Sequence, residues 1–158
     1  MAFDPDRTGI AHADRRQQGH EWYEFVMRTP PPPPATTFLA NGILDFVFSE
    51  MWSRPGLDMR ARRWVTLACV CAADTVQPIE SHIYAALKSG DVTLDEINEF
   101  ALHFAVYLGW PKTSIIQSTI GRMWAQVQAE GGPEPRDPPA RQLDVGAKPL
   151  AWTPPTPA

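Results

Sequence analysis

A chain of 158 residues that is 44% hydrophobic and 20% charged suits one ordinary globular soluble domain with a real core. Its formal net charge of −4 leaves no basic surplus to neutralise phosphates, which argues against a nucleic-acid partner. No apolar run approaches the roughly 20 residues of a membrane span. Residues 1–16 contain no apolar core of an export signal, so the expected setting is a reducing cytoplasm without a membrane partner.

Residues 14–28 carry Trp22, Phe25 and Val26 at helical spacing. The five prolines of residues 30–34 form a stiff spacer that separates this element from the next. Thr36 and Thr37 are a cap signal. The helix behind them has the stripe Phe38, Ile43, Phe46, Val47 and Met51, and ends before Pro55 and Gly56. Asp58 is a good N-cap for the next helix. That helix is apolar nearly all round in its second half, with Val65, Leu67, Ala68 and residues 70–73, and is expected at the centre of the core.

Pro78 suits the first turn of the following helix, and Gly90 the position just past its end. Thr93 and Glu96 form a capping box for a helix that Gly109 and Pro111 stop. A last helix spans residues 113–128. No segment alternates like a half-buried strand, so the expected fold is all-α, a bundle of about six helices with short connections. Of the 17 prolines, eight fall within residues 131–158, which read as a disordered or surface-draped tail after a helical domain over residues 1–130.

Both cysteines lie in the third helix. Two residues apart on a helix, Cys69 and Cys71 point about 200° apart and cannot pair without unwinding it. A redox dithiol wants Cys-x-x-Cys at a helix N-terminus, so these two read as small buried hydrophobes. No second close pair of ligands accompanies them, and no metal site is expected. His82 faces an apolar environment, where a lone histidine is more often structural. His103 lies four residues after Glu99 and four before Tyr107, either an acid/base relay or, preferably, an interfacial polar stripe. Glu50, Trp52, Arg54 and Arg60 surround the Pro55-Gly56 corner, which is either a grip for an anionic substrate or an ion-paired surface loop.

The stretch EMWSRPGLDMRARRWVTLA resembles the carboxymuconolactone decarboxylase family. So does IESHIYAALKSGDVTLDEINEFALHFAVYLGWP, in its order His, Gly, Thr-x-x-Glu-Ile, Glu, His, Tyr-x-Gly-x-Pro. The resemblance runs over about residues 41–127, and Arg16 and Gly19 fit the family's first helix. It implies the helical fold shared with alkylhydroperoxidase D-like proteins and a homo-oligomer, commonly a trimer or hexamer. The peroxidase branch carries Cys-x-x-Cys, with three residues between it and a histidine that matches His82. Those cysteine positions are Thr75 and Pro78 here, so the resemblance points to the decarboxylase branch. The proline run, the tail and Lys112-Thr113 depart from the family pattern.

The family's named reaction removes CO₂ from a carboxylated unsaturated lactone in the breakdown of aromatic compounds, without a cofactor. The substrate is its own electron sink. The protein binds a distal carboxylate, stabilises charge on the lactone oxygen and delivers a proton to carbon. On this resemblance His82 is the proton donor, with an ordinary pKa near neutrality. Arg54 or Arg60 receives the carboxylate or oxyanion, and Glu50 orients His82 or pairs with an arginine. Trp52, Phe46 and Trp64 wall off water, and His103 joins the substrate-binding set. The expected partners are a small organic acid and further copies of the chain. A thiol-dependent peroxidase with unusual cysteines and a non-catalytic binding module are the alternatives.

Overall fold

The computed structural model describes residues 12–33, 37 and 41–140. The described residues form six helices: α1 (His12–Met27), α2 (Ile43–Trp52), α3 (Met59–Ala73), α4 (Val76–Ser89), α5 (Leu94–Leu108) and α6 (Trp110–Ala129). The fold is all-α, and no strand occurs among the described residues. No helix among them is long and apolar enough to cross a membrane.

The ends of the helices follow local chemistry. The Asp58 side chain accepts a hydrogen bond from the Ala61 N–H and so caps α3. Thr93 and Glu96 form the reciprocal capping box of α5. Gly90 closes α4 at φ 74°, a left-handed conformation in which a side chain is strained. Pro111 sits in the first turn of α6, where no intrahelical N–H is needed. The last helix starts at Trp110, three residues ahead of the expected Thr113.

The core has two parts. The larger unites α3 to α6 through Leu67, Ile83, Leu87, Ile97, Phe104 and Ile116. The smaller joins α1, α2 and α4 through Trp22, Phe25, Val26, Phe48, Trp52 and Ala85. α1 lies along α2 at very short range, because a Cβ on Gly19 would stand 2.2 Å from the Leu44 carbonyl oxygen. Only glycine permits that approach. Gln18, fully buried, donates to the Ser49 carbonyl at 2.6 Å, and Arg16 Nη2 donates to Asp45 at 2.8 Å.

Two expectations are corrected. The stripe Ile43, Phe46, Val47 and Met51 faces outward, at 38–46% exposure, while Leu44, Phe48, Ser49 and Trp52 are buried. Apolar residues occur on both sides of this element, so its sequence offers two rival faces, and the Gly19 contact, the Gln18 hydrogen bond and the pairs of Asp45 with Arg16 and Glu50 with Arg15 choose between them. It is also a π-helix, with its wider turn, an arrangement frequent at functional sites. Phe38, with which that stripe began, lies outside the described residues. Likewise α3 is not central: Arg63, Leu67 and Cys71 face inward, whereas Val65 is 54% exposed and Ala68 and Cys69 are exposed.

The chain after α6 folds back over the end of α4. Glu134 N–H donates to the Lys88 carbonyl at 2.7 Å. Lys88 Nζ, buried beneath this segment, donates to the Gly132 carbonyl and pairs with Glu134, each at 3.0 Å. Residues 131–140 are thus draped on the surface, and residues 141–158 lie outside the described residues.

Candidate active site

The last turn of α2 and the middle of α4 meet where the two parts of the core adjoin. Trp52, buried at the end of α2, and His82 of α4 face one another with ring centres 6.5 Å apart and planes within 10° of parallel. Phe48 stacks with the same indole at 6.3 Å and 7°. The guanidinium carbon of Arg63, from α3, stands 5.3 Å from the Trp52 ring centre, a cation–π contact. Arg63 is 1% exposed. Its Nε donates to Asp91 at 2.9 Å, and Nη2 donates to the Val26 carbonyl of α1. Three helices therefore converge on one indole ring.

This environment decides the charge of His82. Burial, and then the positive charge of Arg63, push its pKa down from 6.5 to about 4. The imidazole is neutral at pH 7, rather than poised near neutrality as an ordinary histidine would be. Its Nδ1 is buried and has no hydrogen-bond partner. A neutral imidazole that is half-buried and has an enclosed, unpartnered nitrogen is ready to take a proton once negative charge arrives.

Glu50 pairs with an arginine. Its carboxylate lies 3.6 Å from Arg15 Nε of α1, with both side chains largely buried. Arg54 is half-buried just past α2, and its carbonyl accepts a hydrogen bond from Arg62 at 2.8 Å. Phe46 is on the outward side of α2, at 46% exposure, away from the buried face that carries Trp52.

The remaining predicted residues gather elsewhere, between α3 and α5. Trp64, Ala68, Glu96, Glu99, Phe100 and His103 line a groove of about 470 Å³. Arg60 lies over Trp64 at 5.9 Å and donates to Glu96 at 3.1 Å. That hydrogen bond, joined by those from Thr93, holds the Glu96 carboxyl down to about 2. His103 stacks obliquely on Tyr107 at 4.9 Å, and both are exposed. Arg60, Trp64 and His103 thus form one group and Trp52 and His82 another.

The cysteines differ from each other. Cys71 is buried, and burial pushes its thiol up to about 12, so it stays protonated and inert. Cys69 is exposed on the outer face of α3, which corrects the expectation of two buried thiols. Among the described residues no group of three or more His, Cys, Asp and Glu side chains is arranged to hold a metal ion.

Two arginines of this region escape a reading of residue types alone. Arg63 falls in step with Leu67 and Cys71, four residues apart on the buried stripe of α3. Arg15 falls in step with Gln18 and Trp22 on the buried side of α1. A charge in register with an apolar stripe is the signal, and it was masked by the arginine-rich start of α3.

The architecture is that of an all-helical protein with a half-buried, uncharged histidine at the junction of its two packing units. The carboxymuconolactone decarboxylase family profile matches residues 39–114, a span that holds Trp52, Arg63 and His82. A 4-carboxymuconolactone decarboxylase of Acinetobacter baylyi is 38% identical over 74 residues, 47% of this chain and 54% of that protein. The chain thus aligns with about half the length of that relative. Nitrosuccinic acid decarboxylase npaB of Metarhizium robertsii is 33% identical over 112 residues, 66% of this chain and 74% of that protein. The chain belongs to the carboxymuconolactone decarboxylase family.

Proposed function

We propose that the protein is a cofactor-free decarboxylase of a small dicarboxylic acid, with His82 as the group that hands a proton to carbon. The observation that carries this reading is the uncharged His82, stacked on Trp52 with a free buried nitrogen. The two relatives are named for carboxymuconolactone and for nitrosuccinic acid. Both compounds carry two carboxylates and a built-in electron acceptor, an unsaturated lactone in one and a nitro group in the other. That shared chemistry supports this choice of substrate class.

The reaction is balanced simply. The bond between carbon and the departing carboxylate breaks, its electron pair passes into the acceptor, and CO₂ leaves. One proton then returns to carbon, so each turnover consumes one proton. The neutral imidazole first takes that proton as the dianion enters, since nearby negative charge raises its pKa. It then delivers the proton to carbon: to the carbon that lost CO₂ in a nitro acid, and to the carbon next to the carbonyl in the lactone, where the electron pair has moved through the C=C bond. Trp52 and Phe48 supply a dry apolar wall, against which a carboxylate loses hydration and departs more readily. Arg54 is the candidate cation for the second carboxylate. The Arg15–Glu50 pair ties α1 to α2 and fixes the wall.

Release of CO₂ from carboxymuconolactone and from nitrosuccinate by the purified protein tests the reading. Turnover of one or both is expected, falling about 10²-fold or more in His82→Gln. A protein that turns over neither, yet reduces a hydroperoxide with a dithiol, is a peroxidase instead. The buried, protonated Cys71 disfavours that second reading.

A further inference from the structure

We propose that Arg63 is a positioning residue for His82: through the Trp52 ring it fixes the imidazole plane, and it sets a buried positive charge beside the imidazole that an incoming anion offsets. The proposal rests on the decarboxylase reading only for its purpose, since the arrangement exists in the protein alone. An arginine at 1% exposure cannot serve as a grip for an entering substrate. Burying a guanidinium is costly unless it is well partnered. Here Asp91 and the Val26 carbonyl take two of its nitrogens, while Nη1 is buried without a partner. Such an incompletely satisfied charge marks a group whose field matters to its neighbours.

The neighbour is His82. Arg63 and His82 both meet the Trp52 ring, at 5.3 and 6.5 Å between centres. Of the other charges on the elements packed around α4, three pairs neutralise one another, while Arg28, just past α1, lies over the Phe25 ring with Nε and Nη1 buried and unpartnered and adds to the positive field of Arg63. Glu50 of α2 is with Arg15 of α1, Glu80 of α4 with Arg122 of α6, and Lys88 with Glu134. Arg63 itself keeps only a partial neutraliser, because Asp91 is 23% exposed and shared with solvent. Arg63 is itself buried, which leaves its field at the half-buried His82 weakly screened. An incoming carboxylate offsets that field, and the proton is loaded as the substrate arrives rather than before.

The test follows the His82 ring proton by NMR across a pH titration, assigned by its loss in His82→Gln, with no substrate present. In wild type the midpoint should fall near 4. In Arg63→Met it should rise by about one pH unit or more, whereas Arg63→Lys, which keeps the charge, should stay depressed. Asp91→Asn supplies the opposite perturbation should Arg63→Met not fold: it strips Arg63 of its neutraliser and should lower the midpoint further. A midpoint in folded Arg63→Met within about 0.3 units of wild type overturns the proposal, as does one that stays or rises in Asp91→Asn. Because no turnover is read, this failure is distinct from failure of the decarboxylase reading, which the CO₂ assay decides.

Discussion

The imidazole of His82 lies parallel to the indole of Trp52, and Arg63 occupies the same ring from another helix. The histidine is thereby kept neutral in the folded protein, and this has a cost in acid. Below pH 6.5 the unfolded chain binds a proton at His82 that the folded chain refuses until about pH 4. The contribution is therefore fully present above pH 6.5 and lost as pH falls toward 4. Its size is about 3 kcal/mol. Chemical denaturation at pH 7 and pH 4.5 should give a smaller loss of stability in His82→Gln than in wild type. Equal losses would place His82 in contact with water.

The two cysteines should separate cleanly by reactivity. An aromatic disulfide reagent should titrate one thiol, Cys69, in the native protein and two after denaturation. Cys69→Ala should leave no thiol reactive in the native state. Rapid reaction of Cys71 in the folded chain would contradict its burial and revive a thiol mechanism.

Gly19 is the point of closest approach between α1 and α2. Gly19→Ala forces a methyl group to within 2.2 Å of a backbone oxygen, which a side-chain adjustment cannot relieve. The two helices must part, and the cost is about 1–3 kcal/mol, as for overpacked cores. A melting temperature unchanged from wild type would mean that α1 sits elsewhere.

Removal of everything after Glu130 leaves Lys88 buried at the end of α4 without Gly132 and Glu134. Helical content by circular dichroism should stay nearly constant, while the melting temperature drops. Lys88→Met in the shortened chain should recover part of the loss, because an ammonium left with Glu130 alone is replaced by an apolar group. Identical melting of the long and short chains would show that the clip holds nothing.

Much of the fold is legible in the sequence because caps are local. Asp58, Thr93 with Glu96, Gly90 and Pro111 each announce a helix end by chemistry within one turn. The facing of α2 and α3 is not local. The α2 segment has apolar residues on both sides, and its partners on α1, a glycine 25 residues before Leu44, a buried glutamine and two arginines paired with Asp45 and Glu50, decide which side turns inward. The site divides in the same way. His82 and Trp52 stand out by residue type, and the structure brings them together. Arg60, Trp64 and His103 also stand out, but the α3–α5 packing takes them to another groove. Arg63 was hidden among Arg60 and Arg62, although its step of four with Leu67 and Cys71 marks the buried stripe.

The central claim is that chemistry belongs to His82 and not to the thiols. The decisive measurement is CO₂ release from carboxymuconolactone and nitrosuccinate by wild type, His82→Gln and the Cys69→Ala, Cys71→Ala double variant, each first shown to be folded. The double variant should lose about 1 kcal/mol of stability per buried thiol removed and keep its turnover. His82→Gln should keep its fold and slow the chemical step by about 10² or more. A folded double cysteine variant without activity, beside an active His82→Gln, would contradict the account.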